Sequence, residues 1–151
     1  MSTPSRISIS NDLLLPQICE FLREGHTVTI PVRGNSMNPF MVDRRDKVTI
    51  APLIHQKVRK GDLLLAYESN QKRYVLHRLI RIEPTTYILM GDGNIKGTET
   101  IFPEDLIGIV TDIVRKEKNY STSSLIWKYY STIWVALYPI RRWILAIWRK
   151  I

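Results

Sequence analysis

Ser36, in Pro31-Val-Arg-Gly-Asn-Ser-Met-Asn-Pro39, and His77, in the apolar run Tyr74-Val-Leu-His-Arg-Leu-Ile-Arg-Ile82, are the residues whose types could together do covalent chemistry. A serine hydroxyl is a weak nucleophile at neutral pH. It needs a base within about 2.6 to 3.2 Å to take its proton as it attacks. A serine at a tight turn and a histidine on a strand are the parts of such a pair. Each also has a plainer reading. Ser36 could be an ordinary turn serine. His77, with Val75, Leu79 and Arg81 on its strand face and Leu76 and Ile80 on the other, could be a buried histidine bonded to a carbonyl.

Positioning such a pair requires a folded core. A chain of 151 residues, 44% of them hydrophobic, is long enough for one domain and too short for two full ones. Cys19 is the single cysteine, which excludes an intramolecular disulfide and argues against a cysteine-based zinc site. On a short amphipathic helix it reads as a small core residue. His26, His55 and His77 lie far apart and show no metal-ligand spacing, so neither a metal nor another cofactor is expected. The net charge of +8 is uneven: residues 1 to 111 carry 14 Lys/Arg against 12 Asp/Glu, residues 112 to 151 carry 8 against 2. The excess sits in the tail, so no nucleic-acid partner is expected. Leu13-Leu14-Leu15 stops at Pro16, too short for a secretory h-region, and a cytosolic start is expected.

The elements follow from periodicity. Pro16 to Glu24 suits a short helix, with proline in its first turn and Gly25 as its stop. From Thr27 the pattern becomes β: Thr27 to Val32, Lys47 to Ile50, Asp62 to Ala66, Tyr74 to Ile82, Tyr87 to Met90 and Leu106 to Thr111, separated by turn clusters such as Lys60-Gly61 and Gly91-Asp-Gly-Asn94. The class expected is mainly β, a compact coiled or barrel-like sheet. The division predicted is an N-terminal segment 1–26 with its short helix, a β domain 27–114, a linker 115–124 and a basic amphipathic helix 125–151.

In that tail, a helix would align Ile133, Leu137, Ile140, Ile144, Ile147 and Ile151 on one stripe, flanked by Trp134, Trp143 and Trp148, with Lys128, Arg142, Arg149 and Lys150 opposite. Arg141 and Arg142 interrupt any membrane span, which needs about 20 apolar residues. Pro139 should kink or split the helix. Two placements stay open: flat on an anionic lipid surface, or docked on the β domain or a second subunit. The expected location is cytoplasmic or peripheral to a membrane.

Four blocks, Gly34-Asn35-Ser36-Met37-Asn38-Pro39, the Gly61-Asp62 step into an apolar strand, Val75-Leu76-His77-Arg78 and Gly91-Asp92-Gly93-Asn94, resemble in order and spacing the signal peptidase and LexA-type serine peptidases. The likeness covers roughly residues 27 to 112. It implies the coiled β fold of that group, with serine as nucleophile and a lysine or histidine as base. Histidine at this place is similar to the Ser/His signal peptidases. The elbow, with glycine two places before the serine, is instead similar to LexA-like proteins, and leaves the backbone N–H of Ser36 as the expected oxyanion donor. Those signal peptidases carry an aspartate just beyond the Gly-Asp-x-Asn box, where this chain has Ile95-Lys-Gly-Thr-Glu99. Asp92 is therefore the first candidate to orient His77, with Glu99 second; alternatively Asp92 only shapes its turn. Met37 and Pro39 are expected to shape the elbow and its substrate pocket. Arg78 is expected either to bind substrate or to be a solvated strand arginine.

The resemblance implies acyl transfer by Ser36 and His77 on a peptide or precursor protein with small side chains near the cleaved bond, bound as an extended strand. A cytosolic enzyme trimming leader peptides fits the expected location. Two rivals are a non-catalytic adaptor for a membrane or protein partner and a LexA-like regulatory peptidase. The latter is poorly supported, because only about thirty residues precede the β domain and they offer one short helix.

Overall fold

The computed structural model describes residues 11–53 and 57–150; His55, residues 1–10 of the N-terminal segment and Ile151 of the expected tail stripe lie outside the described residues. Helix α1 (Asn11–Arg23) buries Ile18, Cys19 and Leu22, one stripe at i, i+1 and i+4. It begins five residues before the Pro16 start expected from sequence. Pro16 therefore lies inside the helix and not in its first turn as expected, and it forfeits the bond an N–H there would give to the carbonyl of residue 12. Gly25, at φ +89°, ends the helix: its N–H bonds to Leu22 O and that of His26 to Phe21 O, a Schellman closure.

Eight antiparallel strands follow: β1 (Val28–Pro31), β2 (Asp46–Pro52), β3 (Leu63–Glu68), β4 (Arg73–Ile82), β5 (Tyr87–Met90), β6 (Glu99–Ile101), β7 (Leu106–Arg115) and β8 (Lys118–Ser121). They form one sheet in the order β1-β2-β7-β3-β4-β5-β6, with β8 added to β7. Strand exceeds helix, 36% against 28%, and the sheet curls into a half-barrel, so the mainly β class expected from sequence is the class found. Register shifts at Thr49/Ile50, Leu65/Ala66 and Leu79/Arg81 interrupt the ladders where the sheet bends. Along β3 the two faces serve two cores. Leu63 and Leu65 pack with α1, Val48, Ile50 and Val110, while Leu64 and Ala66 pack with Val75, Leu79, Leu89 and Ile101.

Two strands depart from the sequence expectation. β6 falls between the expected strands Tyr87 to Met90 and Leu106 to Thr111, and the expected linker 115–124 holds the turn and second strand of the β7–β8 hairpin, with Arg115 paired to Lys118. Its two-residue turn, Lys116-Glu117, has φ of 51° and 65°, the twist of a type I′ turn without the Asn-Gly that usually announces one.

The tail is two helices. Ser124 caps α2 (Leu125–Ala136) by accepting from Trp127 N–H, a 3₁₀ turn at Tyr138–Ile140 contains Pro139, and α3 (Arg141–Lys150) follows. α2 docks on the sheet through Trp127, Ser131 and Trp134, and α3 buries Arg141 and Leu145. The isoleucine stripe expected to be one face is not the docking face: Ile133, Ile140 and Ile147 are exposed. Among the described residues no helix is long and apolar enough to cross a membrane.

The loop that carries Ser36 is closed at its base by Asp46. The Asp46 carbonyl accepts from Val32 N–H, and its buried carboxylate accepts from Val42 N–H, Arg45 and Arg115 at 2.9 to 3.2 Å. Burial alone would push this carboxyl up, but the hydrogen bonds from Arg45, Arg115 and Val42 outweigh it and hold the group below its ordinary value. The stabilisation is therefore complete above the unfolded carboxyl value, about 3.9, and is lost as pH falls through the lowered folded one. Asp46→Asn should cost about 1 to 3 kcal/mol near neutrality and flatten the fall in stability below about pH 4, measured by urea unfolding across pH.

Candidate active site

The Ser36 elbow and the Gly91–Asn94 box hold each other. Gly34, at φ +81°, turns the chain, and its N–H bonds to the Asp43 carboxylate at 2.8 Å. Asn38 N–H returns to Asn35 O, Met41 N–H to Met37 O, and the Asn38–Pro39 peptide is cis. The box closes over this turn: Gly93 N–H donates to Ser36 O at 2.8 Å and Asp92 N–H to Met37 Sδ at 3.4 Å. Glycine is required at both ends of that clasp. A Cβ on Gly91 would collide with the Ser36 carbonyl and lie 3.1 Å from His77 Nε2; one on Gly93 would stand 2.5 Å from Asn35 O.

His77 Nε2 thus faces the box and the elbow backbone, while Nδ1 lies 2.9 Å from Glu99 Oε2. With Nδ1–H donated to this carboxylate, Nε2 keeps its lone pair, the tautomer a general base requires. Glu99, the first residue of β6, is only 4% exposed. Its Oε1 accepts from Arg73 at 3.3 Å, and Arg73 also pairs with the buried Glu68 at 3.7 Å. Arg73, Val75 and His77 alternate along β4, which brings Arg73 to the side of the strand that carries His77.

Ser36 and His77 line one cleft of about 330 Å³, with Ile30 to Arg33 from β1 and its continuation, Arg73 to Leu76 from β4, and Met37, Leu65 and Asn94. No hydrogen bond joins Ser36 Oγ to His77, and among the described residues the N–H groups of Ser36 and Met37 have no acceptor. The arrangement can take a proton at Nε2, hold a positive imidazolium against Glu99, and offer N–H donors beside a serine hydroxyl.

The sequence assignments divide here. Ser36, Met37 and His77 come together as expected, and Pro39 is half-buried in the elbow and does not line the cleft. Asp92, the first candidate to orient His77, does not touch it; the second candidate, Glu99, does. Asp92 is committed to Arg78, with Oδ1 and Oδ2 accepting from Nε and Nη2 at 2.7 and 2.6 Å. Arg78 is neither solvated nor at the cleft. It is fully buried, donates to Gly61 O and Ser131 Oγ, and lies 5.5 Å from the ring centres of both Trp127 and Tyr130. The reason is strand alternation: the residue after His77 must point to the opposite face, where α2 packs. Cys19 is buried in the α1 core, and desolvation pushes its thiol up, away from the thiolate a nucleophile needs. Arg73 and Asn94 lie in the cleft and escaped the sequence reading; the alternation from His77 back to Arg73 was the available signal for the first.

Removing one partner of a buried, bidentate pair strands the other charge. Asp92→Asn should destabilise the fold by about 3 to 5 kcal/mol, and joint replacement by Arg78→Met and Asp92→Leu should recover much of that loss, both read as urea midpoints. No protein-family model and no curated protein matches this chain, so the chemistry of the site rests on its own geometry.

Proposed function

We propose that the protein is a serine endopeptidase with Ser36 as nucleophile, His77 as general base and Glu99 as the group that orients it, a distant member of the signal peptidase and LexA-like superfamily that it resembles. The observation that carries this is the His77 ring, bonded through Nδ1 to a buried carboxylate while Nε2 faces the Ser36 elbow across a shared cleft. In the reaction, Ser36 Oγ forms a bond to a peptide carbonyl carbon as its proton passes to Nε2. The C–N bond then breaks and the proton goes to the leaving amine. Water, deprotonated by the same nitrogen, hydrolyses the ester and restores Ser36. The N–H of Ser36 is the proposed donor to the oxyanion, with that of Met37 beside it.

The cleft also suits an extended substrate. Among the described residues β1 pairs only with β2, and residues 73 to 77 of β4 pair only with β3, so two strand edges flank the space beside Ser36. A peptide entering as a strand can bond to either edge, and the modest volume favours small side chains next to the cleaved bond. Signal, leader or other precursor peptides are the proposed substrates. A second reading, a peptide-binding member of the fold without activity, draws on the missing Ser36 to His77 hydrogen bond. Apo catalytic bonds are often long and tighten with substrate, which leaves the enzymatic reading ahead.

A fluorophosphonate probe separates the two. Wild-type protein should be labelled at Ser36, seen by peptide mass. Ser36→Ala and His77→Ala should be unlabelled, and Glu99→Gln should label about 10² to 10⁴-fold more slowly. Folded wild-type protein that resists the probe, or equal labelling of Ser36→Ala, would exclude the peptidase.

A further inference from the structure

The two C-terminal helices turn an apolar, cationic face outward, and we infer that this face seats the protein on an anionic lipid surface. α2 docks by Trp127, Ser131 and Trp134, which leaves Leu125, Ile126, Tyr129 and Ile133 on the opposite side, with Ile126 at 83% exposed. On α3, Arg141 and Leu145 are buried, while Trp143 and Ile147 are exposed at 60% and 64%. A folded protein that leaves this many large apolar groups in water on two consecutive helices is presenting a contact surface.

Charge selects the occupant. Residues 122 to 151 hold five Lys/Arg and no Asp or Glu. Of the five only Arg141 is buried; Lys128, Arg142, Arg149 and Lys150 are exposed on the same two helices. A second copy applied to this face would set those cations against their own counterparts, with no carboxylate in the segment to offset them. An anionic bilayer meets both requirements. Ile126, Ile133 and Ile147 enter the acyl boundary, Tyr129 and Trp143 take the headgroup level, and the cations meet lipid phosphates. α2 and α3 are each about 15 to 18 Å long, which suits a flat footprint and not a crossing.

Flotation with vesicles of phosphatidylcholine, with and without phosphatidylglycerol, tests the inference on the full chain. The protein should float with the anionic vesicles and dissociate as salt rises. Ile133→Ser with Ile147→Ser should weaken binding at least about tenfold, and Arg149→Gln and Lys150→Gln about fivefold each, with unchanged circular dichroism. Ser36→Ala should float like wild type, so a failure of the peptidase reading leaves this result standing. Folded wild-type protein that stays unbound to anionic vesicles at low salt would overturn the inference. So would binding indifferent to the isoleucine changes, or a dimer, seen by sedimentation, that those changes dissolve.

Discussion

The buried pair between Arg78 and Asp92 is the constraint from which the site takes its shape. Arg78 stands beside the general-base candidate on β4 and Asp92 lies inside the box that clasps the serine elbow, so their two hydrogen bonds tie the histidine strand to the serine loop. A pair like this adds little net stability, because desolvating both ions offsets most of the attraction. Its value here is geometric. The Nη1 group of the guanidinium donates to Gly61 O and Ser131 Oγ, and its plane lies against Trp127 and Tyr130, a set of contacts that a shifted register of β4 would lose. With Asp92 fixed, its backbone N–H meets Met37 Sδ, Gly93 meets Ser36 O, and the elbow has one position.

One strand therefore runs two charge systems on opposite faces. On the cleft side, Arg73 and His77 share Glu99; on the helix side, Arg78 holds Asp92. Alternation keeps the acids apart, so His77 meets Glu99 and Arg78 meets Asp92. Gly91 makes this compact: the chain passes between Ser36 O and His77 Nε2 at a distance that no side chain would permit.

What could be read from the sequence was what depends on local pattern. The apolar strands, the turn at Gly34, the serine in it and the histidine on β4 all announce themselves within a few residues. The acid did not, because its identity depends on contacts across strands. Asp92 is nearer to His77 in sequence and sits in a familiar box, yet the pairing of Glu99 with Leu89 on β5 is what brings the glutamate to the imidazole. Arg78 misled for a related reason, since an arginine on a strand is usually solvated and only a helix from fifty residues later buries it. In the tail, hydropathy picked out the isoleucines and left open whether they face the protein or turn outward; Ile133, Ile140 and Ile147 are exposed. Docking runs instead through tryptophan rings, a serine and a buried arginine, groups that a hydropathy pattern scores as polar or flanking.

The same docking determines how the tail relates to the site. Arg141 spans the two helices, donating to Trp134 O and Met90 Sδ and lying 5.1 Å from the Trp134 ring centre. Trp134 in turn donates to the carbonyl of Asp92. Met90 and Asp92 bracket Gly91, so α2 and α3 are fastened to the chain on either side of the glycine that touches Ser36. A flexible tether would let a bound surface move freely relative to the cleft. These contacts make the helices a platform instead, one face gripping the box and the other turned outward, so whatever occupies the outer face holds the cleft at a fixed orientation.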